Sequence, residues 1–474
     1  MSDSAPSLSA LASPLDPIGF ETQLGPLPSS GKWPPELRGT LVRNGPNPYI
    51  EVPGSHWFLG DGMLHAFSID NGVVHYRNRW IRTQRLVAQQ ATGQPRATSL
   101  SVSAGDDGTA NTNVIGHAGH MLALEEAHLP IDIDVDSLDT IGPIDFNSGL
   151  NGAFTAHPKT DPHTGELIFF GFGTPEQLSA GMSYGVISAQ GKVTRFERFE
   201  APYASMVHDF MVTKDYVMFP VMPLTASQER AKNGLPPYAW EPEFGTRVGI
   251  MPRTGSTRDI EWWEGPPSYV FHPMNAWQDP NHPNLLHADV MEFDVPPLFP
   301  LPDGSPSPDA NPVAHLVRWT FNTADTRRRF TRIRIDPVPG EFPRIDERFS
   351  GLPYRHGWYA SHVVTSDGRL QSYNGLRHVD HATEERSDFT FNPDDRVSEP
   401  VFVPRAADAR EGDGWLLAVV WRATENRSDL VVFNALDLAH GPVCSAALPH
   451  RVPAGFHGNW FPAIERKNVA QTGG

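Results

Sequence analysis

Four histidines stand in similar short settings in this chain of 474 residues. They are His157 in FTAHPKTDP, His208 in SMVHDF, His272 in VFHPMNAW and His457 in GFHGNW. Their separations are far too wide for a local metal-binding motif, so only a fold that gathers distant segments can bring them together. Neutral imidazoles bind divalent transition metals well, and a group of four would make a metal site without any carboxylate ligand.

The setting of these histidines is what distinguishes them from ordinary ones. Each borders an apolar or aromatic segment, and three are followed by a residue that constrains the backbone: Pro158, Pro273 and Gly458. His208 is followed by Asp209, a carboxylate that could orient a histidine ring. A lone histidine is more often a hydrogen-bonded structural residue. The other histidines are interpreted in that way, and they include His65, His117, His120 and His362.

Composition limits the classes of function. The formal net charge of −17 argues against the basic face that nucleic-acid binding needs, so no nucleic-acid partner is expected. The single cysteine, Cys444, leaves no disulfide framework and no thiolate cluster. Its setting in VCSAAL favours a small buried apolar group over a nucleophile. Any bound metal must therefore take its ligands from histidines and carboxylates.

The sequence gives no sign of a membrane segment. The N-terminal MSDSAPSLSALASPLD has neither the basic region nor the continuous apolar run of a signal peptide. No apolar run approaches the roughly 18 residues that span a bilayer. We therefore expect a cytoplasmic protein without a strong membrane-docking signal, in which residues 1–15 are disordered and residues 16–474 form a single domain. The oligomeric state is left open.

Short strand-like runs follow one another along the chain, as in GVVHYRNRWIRT, ELIFFGF, HLVRWTF and WLLAVVW. Turn signals such as IDNGVV separate them, whereas helical periodicity is scarce. Only TPEQLSAGM and TASQERAKNG predict short helices within loops. So many strands in one chain favour a β-propeller over a sandwich. In a propeller the innermost strand of each blade runs along a common axis, which would bring the four histidines together.

Longer motifs carry a resemblance to a known family. They are LVRNGPNP, HWFLGDGMLHAF, ANTNV, FTAHPKTDPHTGEL, VHDFMVT, EFPRID, EPVFVPR and RVPAGFHGNW. With these motifs in order, the chain resembles the carotenoid cleavage oxygenases from about residue 16 to residue 461. Within that family it is most similar to the bacterial branch of lignostilbene dioxygenases and isoeugenol monooxygenase. The resemblance implies an all-β fold, a seven-bladed β-propeller with a dome of loops and short helices over the iron-bearing face.

The resemblance also implies the site. In this family four histidines hold one non-haem Fe(II), and the matching positions are His157, His208, His272 and His457. Three glutamates accept N–H bonds from three of these ligands, and the matching positions are Glu126 in LALEEAHLP, Glu341 in EFPRID and Glu399 in SEPVFVPR. Glu125 is the rival of Glu126, although the family pattern places the carboxylate at the later residue.

The reaction that the resemblance implies adds O₂ across an activated carbon–carbon double bond and splits it into two carbonyl products. Its partners would be O₂ and a small apolar alkene, with no organic cofactor. The resemblance favours a phenylpropenoid or stilbene-like aryl alkene, and an apocarotenoid is the alternative.

Two departures from the stilbene-cleaving members bear on the substrate. Glu125 stands where those members have a lysine, and QQATGQPRATSLSVSAGDDG lacks their tyrosine. We expect Glu125 either to accept a hydrogen bond from a neutral hydroxyl group or to face solvent. Phe58 is expected either to line the substrate channel or to serve only in packing.

Two rival functions remain open at this point. One is a catalytically silent binding propeller, which would not need four histidines in this register. The other is a calcium-dependent lactonase on a similar scaffold, which would need several carboxylate or amide oxygens around a hard cation.

Overall fold

Seven β-sheets form a closed ring in the computed structural model of the protein, which describes residues 13–96, 106–147, 149–150, 152–309, 311–362 and 373–463. Neighbouring strands within each sheet pair in antiparallel fashion. The seven sheets are the blades of a β-propeller, so the predicted all-β, seven-bladed fold is confirmed. Around most of the axis the innermost strands of neighbouring blades contact one another.

The blades are numbered in chain order, and their strands are given from the axis outwards. Blade 1 contains Gly458–Pro462, Gly39–Pro46, Gly62–Asp70, Val73–Trp80 and Thr22–Leu24. Blade 2 contains Asn113–His117, His120–Leu124, Ile131–Ile133 and Thr140–Pro143. Blade 3 contains Lys159–Thr160, Leu167–Phe172, Gly181–Ile187 and Val193–Glu200.

The remaining four blades follow the same plan. Blade 4 contains Met211–Val212, Tyr216–Val221, Thr246–Pro252 and Glu261–Gly265. Blade 5 contains Tyr269–Gln278, Leu285–Phe293, Ala314–Asn322 and Thr331–Arg334. Blade 6 contains Gly340–Ile345, His356–Ser361, Gly375–Asp380 and Arg386–Thr390. Blade 7 contains Arg396–Val397, Val401–Pro404, Gly414–Arg422, Arg427–Asn434, Cys444–Ala447 and Ser29–Gly31.

Both ends of the described chain close the ring. The early strand Ser29–Gly31 completes blade 7 by pairing with Cys444–Ala447. The late strand Gly458–Pro462 becomes the innermost strand of blade 1 by pairing with Gly39–Pro46. The predicted domain limits stay a prediction, and residues 1–12 of the segment expected to be disordered lie outside the described residues.

The hydrophobic core lies between neighbouring blades. Middle strands such as Gly414–Arg422, the run WLLAVVW, are buried along nearly their whole length because another blade covers each face. In a typical layer, Leu122 of blade 2 packs with Phe169 of blade 3 and with Phe154, which precedes that blade. The two phenylalanine rings stack with centroids 4.7 Å apart. This packing fixes the angle between blades, and with it the direction of every side chain at the axis.

Helices are few among the described residues. The two α-helices are Gln84–Thr92 and Gln228–Lys232. Short 3₁₀ helices span Trp57–Leu59, Pro242–Phe244, Thr257–Asp259, Glu347–Phe349 and Leu438–His440. None of the described helices is long and apolar enough to span a bilayer.

The two helix predictions have different outcomes. The helix in TASQERAKNG is confirmed, since Gln228–Lys232 follows the N-cap Ser227. The helix in TPEQLSAGM is wrong, because Leu178 has a φ of 54°, which a right-handed helix does not allow. The helix Gln84–Thr92 was not predicted; the side chain of Thr83 caps its start.

A dome of connections covers the face of the ring where the innermost strands begin. The register shows this: Tyr269, which begins its strand, pairs with Phe293, which ends the next one. The connection that follows, residues 294–313, therefore starts at this face, and so do residues 47–61 and 222–245. A hydrogen bond from the Trp240 amide to the Pro300 carbonyl, 3.0 Å long, ties two of these connections together. The predicted dome is thus confirmed.

Candidate metal centre

The four histidines occupy equivalent places at the dome end of the innermost strands. His157 and His208 lie just before the inner strands of blades 3 and 4. His272 lies within the inner strand of blade 5, and His457 immediately precedes that of blade 1. All four side chains are buried. The ring geometry therefore aims four side chains from distant parts of the sequence at one point on the axis.

Local sequence sets the direction of two of these side chains. The inner strand of blade 5 changes register on both sides of Pro273, because proline has no N–H for the ladder, and the resulting bulge lets His272 face the axis. Gly458 allows blade 1 to close tightly beside His457: a Cβ atom there would lie 2.7 Å from the carbonyl oxygen of Val42. Pro273 and Gly458, which constrain the backbone, therefore help to direct His272 and His457 towards the axis.

The Nε2 atoms of the histidines converge. The distance from Nε2 of His157 to that of His208 is 3.0 Å, and from Nε2 of His208 to that of His272 it is 3.1 Å. One nitrogen from each of the four rings lies within 4.8 Å of the others. Two imidazole nitrogens that bind one metal ion at right angles, each at about 2.1 Å, lie about 3.0 Å apart. The observed spacings fit a shared metal ion.

Three of the rings bind a glutamate through Nδ1. His208 contacts Oε1 of Glu126. His272 Nδ1 lies 2.6 Å from Oε2 of Glu341, and His457 Nδ1 lies 2.9 Å from Oε1 of Glu399. These glutamates come from blades 2, 6 and 7, which supply no histidine, so all seven blades contribute to the centre.

The glutamates fix which ring nitrogen carries the proton. Oε2 of Glu341 also accepts the backbone N–H of Phe342, and Oε2 of Glu399 accepts that of Gly458 at 2.9 Å. Carboxylate oxygens that accept in this way take N–H bonds from the imidazole Nδ1 atoms too, which leaves a lone pair on each Nε2. Lone pairs about 3 Å apart repel one another, so the arrangement calls for a cation between them.

Burial and neighbouring charges shift the pKa of His157 and His272, and they shift the pKa of Glu341 and of Glu399 in opposite directions. Burial, and then the neighbouring histidines, hold the pKa of His157 and of His272 well below the ordinary value. Burial raises the pKa of Glu341 well above its usual range, and the nearby Glu399 adds to this. Burial acts in the same direction on Glu399, but the Arg344 guanidinium and His457 outweigh it and lower the pKa of Glu399 to about 2.

The balance of charge around the rings also indicates a cation. Glu399 is paired with Arg344, whose Nη1 lies 3.3 Å from Oε2. Glu126 and Glu341 form no ion pair with a lysine or arginine in the described part of the chain. The side chain of Glu341 is 4% exposed, and its Oε1 has no hydrogen-bond partner there. Two largely buried carboxyl groups without a basic partner are groups whose charged forms one divalent cation would stabilise.

His157 differs from the other three histidines. Its Nδ1 lies 3.8 Å from Oδ2 of Asp209, which is beyond hydrogen-bond length. Lys159 Nζ binds the same carboxylate at 2.7 Å from Oδ1. Asp209, the carboxylate that could orient a histidine ring, does not contact the adjacent His208: its side chain lies beside His157, and His208 takes Glu126 as its partner.

Glu125 and Phe58 occupy different surroundings. Glu125 binds Nδ1 of His128 and lies 3.4 Å from the Thr109 hydroxyl, with 12% of its side chain exposed, so the solvent-facing alternative is wrong. Phe58 lies in an aromatic cluster beside the histidines, with ring centroids 5.4 Å from Phe456 and 6.3 Å from Phe271.

The Phe58 cluster reaches the metal centre directly. Phe271 packs edge-on against His208, with ring centroids 5.1 Å apart. On the other side of the centre, Phe342 stacks on His272 at 5.5 Å. Sequence reasoning missed Phe271, Phe342 and Arg344 as neighbours of the site, although the quoted segments VFHPMNAW and EFPRID contain all three.

No other group of metal-binding side chains meets in the described residues. Histidines set aside from the sequence have structural partners: His65 binds the Tyr76 hydroxyl at 2.7 Å, and His120 binds Asp132 at 2.8 Å. A set of four nitrogen donors suits a divalent transition metal, whereas calcium takes oxygen ligands. The site therefore does not fit the calcium-dependent rival.

Comparisons with known proteins agree with this architecture. The family model described as retinal pigment epithelial membrane protein, RPE65, matches residues 16–462. Isoeugenol monooxygenase of Pseudomonas nitroreducens is 35% identical over 472 residues, which cover 95% of this chain and 98% of that protein.

Two solved structures extend the likeness to the fold. The crystal structure of Pseudomonas brassicacearum lignostilbene dioxygenase shares 33% identity and a TM-score of 0.89, and the match covers 98% of this chain and 100% of that one. The cobalt-substituted Synechocystis apocarotenoid oxygenase shares 26% identity and a TM-score of 0.82 over 95% of this chain and 98% of that one. By sequence and by structure, the chain belongs to the RPE65 or carotenoid oxygenase family.

Proposed function

We propose that this protein is a non-haem iron(II) dioxygenase that cleaves an activated carbon–carbon double bond with O₂ into two carbonyl products. Its substrate is a phenylpropenoid or stilbene-like aryl alkene. The single observation that carries the proposal is the convergence of Nε2 lone pairs from rings whose Nδ1 atoms are held by glutamates. The membership in a family of alkene-cleaving oxygenases supports the reaction type.

The metal ligands in this proposal are His157, His208, His272 and His457 alone. Glu126, Glu341 and Glu399 hold three of these rings in the ligating orientation and do not bind the metal themselves. Iron(II) supplies the activation of O₂ at this place. Because the four ligands would be neutral imidazoles, the charge of a bound ion would be balanced by two outer carboxylates, Glu126 and Glu341, on the outer side of the rings.

The dome supplies the surroundings of the substrate. The Phe58 cluster presents aromatic faces next to the histidines, a surface that takes up a flat aryl alkene and keeps water away from the reacting bond. Among the described residues, the three glutamates at the centre are engaged with ring N–H groups and are not free to act as acid or base. The protein therefore acts by binding, orienting and drying the alkene.

Glu125 supports a substrate that is bound as a neutral hydroxyl compound. Its carboxylate binds His128. Burial lowers the pKa of His128, but the contact with Glu125 outweighs burial and raises it. Glu125 is itself paired with His128, so a phenolate brought beside it would compete with this carboxylate for the imidazole, which is costly in a mostly buried place. A neutral hydroxyl group avoids this cost by donating a hydrogen bond.

An apocarotenoid is the alternative substrate. The observation in its favour is the fold likeness to the Synechocystis apocarotenoid oxygenase, which extends over 95% of this chain. The aryl alkene is preferred because relatives and structures from the aryl-alkene branch are the more identical ones.

The test is aerobic incubation of the iron-loaded protein with resveratrol, isoeugenol, 4-vinylguaiacol and an apocarotenal, with aldehyde products identified by mass spectrometry under ¹⁸O₂. We expect aldehydes from at least one aryl alkene, and their loss in His272→Ala. The matched control is His287→Ala, which removes a histidine of the same blade that binds Thr320 and Asp279 instead. Turnover of the apocarotenal alone would overturn the aryl-alkene assignment.

A further inference from the structure

Asp209 is a fourth carboxylate near the candidate metal centre, in addition to the three glutamates that bind histidine rings. Asp209 is 3% exposed, and its Oδ2 faces Nδ1 of His157 at 3.8 Å. His157 is the one histidine of the four without a glutamate on Nδ1. Asp209 therefore stands where the outer partner of the fourth ring would be.

Asp209 is held firmly in this place. Lys159 Nζ lies 2.7 Å from its Oδ1 and 3.0 Å from its Oδ2, and the backbone N–H of Phe210 donates to Oδ1 at 2.6 Å. Lys159 also lies over the Phe210 ring, with Nζ 5.9 Å from the centroid. Two donors, the Lys159 ammonium and the Phe210 N–H, make three contacts with this carboxylate and leave it little freedom to turn away from His157.

The pair joins two ligand-bearing segments. Lys159 begins the inner strand of blade 3, two residues after His157, and Asp209 follows His208 directly at the entrance to blade 4. The ion pair thus crosses from one blade to the next immediately beside the converging rings. Because Lys159 and Phe210 hold the carboxylate, its Oδ2 stays on the side of the His157 ring, 3.8 Å from Nδ1.

We infer that Asp209, held by Lys159, is the positioning carboxylate of His157. The inference rests on the proposed metal site, and it gives all four ligands an outer carboxylate. Because Lys159 neutralises Asp209, this partner orients its ring without adding net charge to the centre. The pair resembles Glu399 with Arg344 in that respect and differs from Glu126 and Glu341, whose charges balance the metal ion.

The test uses a variant that leaves the net charge unchanged. Asp209→Asn with Lys159→Met removes a neutral pair, so a change in metal affinity reports on the position of His157 and not on charge. The control is Asp289→Asn with Arg318→Met, which removes a comparable buried ion pair, 2.7 Å between Nε and Oδ1, from blade 5. Asp209→Glu keeps the carboxylate and serves as the rescue variant.

Each protein is titrated with cobalt(II) chloride under anaerobic conditions, and both the dissociation constant and the d–d absorption bands are recorded. We expect the Asp209/Lys159 double variant to bind cobalt about 10- to 100-fold more weakly, with displaced d–d bands. Asp209→Glu should return both quantities towards the wild-type values, and the Asp289/Arg318 control should keep them. A structural role alone would lower thermal stability but would leave the bands of the cobalt-bound form in place.

Two results would count against the inference. Wild-type affinity and bands in the Asp209/Lys159 double variant, with cobalt bound by the wild-type protein, would overturn this inference and leave the metal site intact. Failure of the wild-type protein itself to bind cobalt would overturn the proposed metal site and this inference with it. Should the double variant not fold, Asp209→Asn alone is measured; because it leaves Lys159 unpaired and changes the charge, only the d–d bands of its cobalt-bound form are compared, and they should be displaced from those of the wild type.

Discussion

Replacing Glu399 by glutamine should weaken metal binding although the side chain keeps its size. One carboxylate oxygen of Glu399 accepts from Nδ1 of His457, and the other accepts from the backbone N–H of Gly458, both at 2.9 Å. A glutamine has only one acceptor oxygen, so its NH₂ group must face one of these two donors. If it faces His457, the ring adopts the other tautomer and presents an N–H to the metal. If it faces Gly458, two N–H groups collide and the side chain is displaced.

The magnitude follows from the outer partners of metal-bound histidines. Loss of such a partner lowers metal affinity by about 10- to 100-fold, which corresponds to about 1.4 to 2.8 kcal/mol. The Arg344 guanidinium, 3.3 Å from Glu399 and buried, loses its buried charge partner at the same time, keeps only the exposed Glu347 at 3.4 Å, and repels the cation. We therefore expect the Glu399→Gln effect to lie in the upper half of that range.

The assay is a cobalt(II) or iron(II) titration at pH 7, followed by calorimetry, on proteins whose folded state is verified by thermal melting. The matched control is Glu292→Gln. Glu292 is a buried carboxylate in blade 5 that binds the Trp319 indole N–H at 2.6 Å and Arg332 at 3.0 Å, without contact to the four histidines. The control should lose stability and keep its metal affinity. Equal affinity in Glu399→Gln and wild type would refute the reasoning about the tautomer.

Three further predictions follow from the same geometry. Glu126→Ala should lower iron content and activity about 10- to 100-fold, whereas Glu125→Ala should leave iron content unchanged and alter substrate preference. Loss of iron in Glu125→Ala but not in Glu126→Ala would contradict the placement of Glu126 on His208. Phe58→Ala should raise KM for an aryl alkene with unchanged iron content, and Phe58→Tyr, which keeps the ring, should retain binding; an unchanged KM in Phe58→Ala would show that the ring serves only in packing. Burial raises the pKa of the Cys444 thiol to about 12, so the native protein should resist alkylation by iodoacetamide at pH 8 and react once unfolded; rapid labelling of the native protein would contradict its burial.

Much of the fold could be predicted from the sequence because its signals are local and repeated. Runs such as ELIFFGF and WLLAVVW became strands within blades, and turn signals such as IDNGVV became hairpins between them. The prediction of short helices was less successful, because a single backbone angle or a single capping side chain decides whether such a helix forms. Leu178 adopts a positive φ within TPEQLSAGM and prevents a helix there, while a cap at Thr83 sufficed to start a short helix that hydrophobic spacing did not indicate.

The motifs of the sequence predicted which residues form the candidate site, but not the direction in which each side chain points. The four histidines converge as expected, but side-chain directions at the axis depend on strand geometry that a sequence does not display. Successive residues of an extended chain point to opposite sides, so His208 faces the centre from one side while Asp209, its neighbour, lies beside His157. Glu125 and Glu126 are likewise adjacent residues with different partners, His128 and His208.

X-ray absorption at the iron K-edge tests the central claim most directly. The iron-loaded protein should contain about one iron per chain, and the spectrum should require four imidazole nitrogens at about 2.0–2.2 Å. His272→Ala should lose one imidazole or the metal itself, and His287→Ala should keep the wild-type spectrum. A spectrum that requires a carboxylate ligand from the protein, or that fits with fewer than four imidazoles in the wild-type protein, would contradict the four-histidine iron centre.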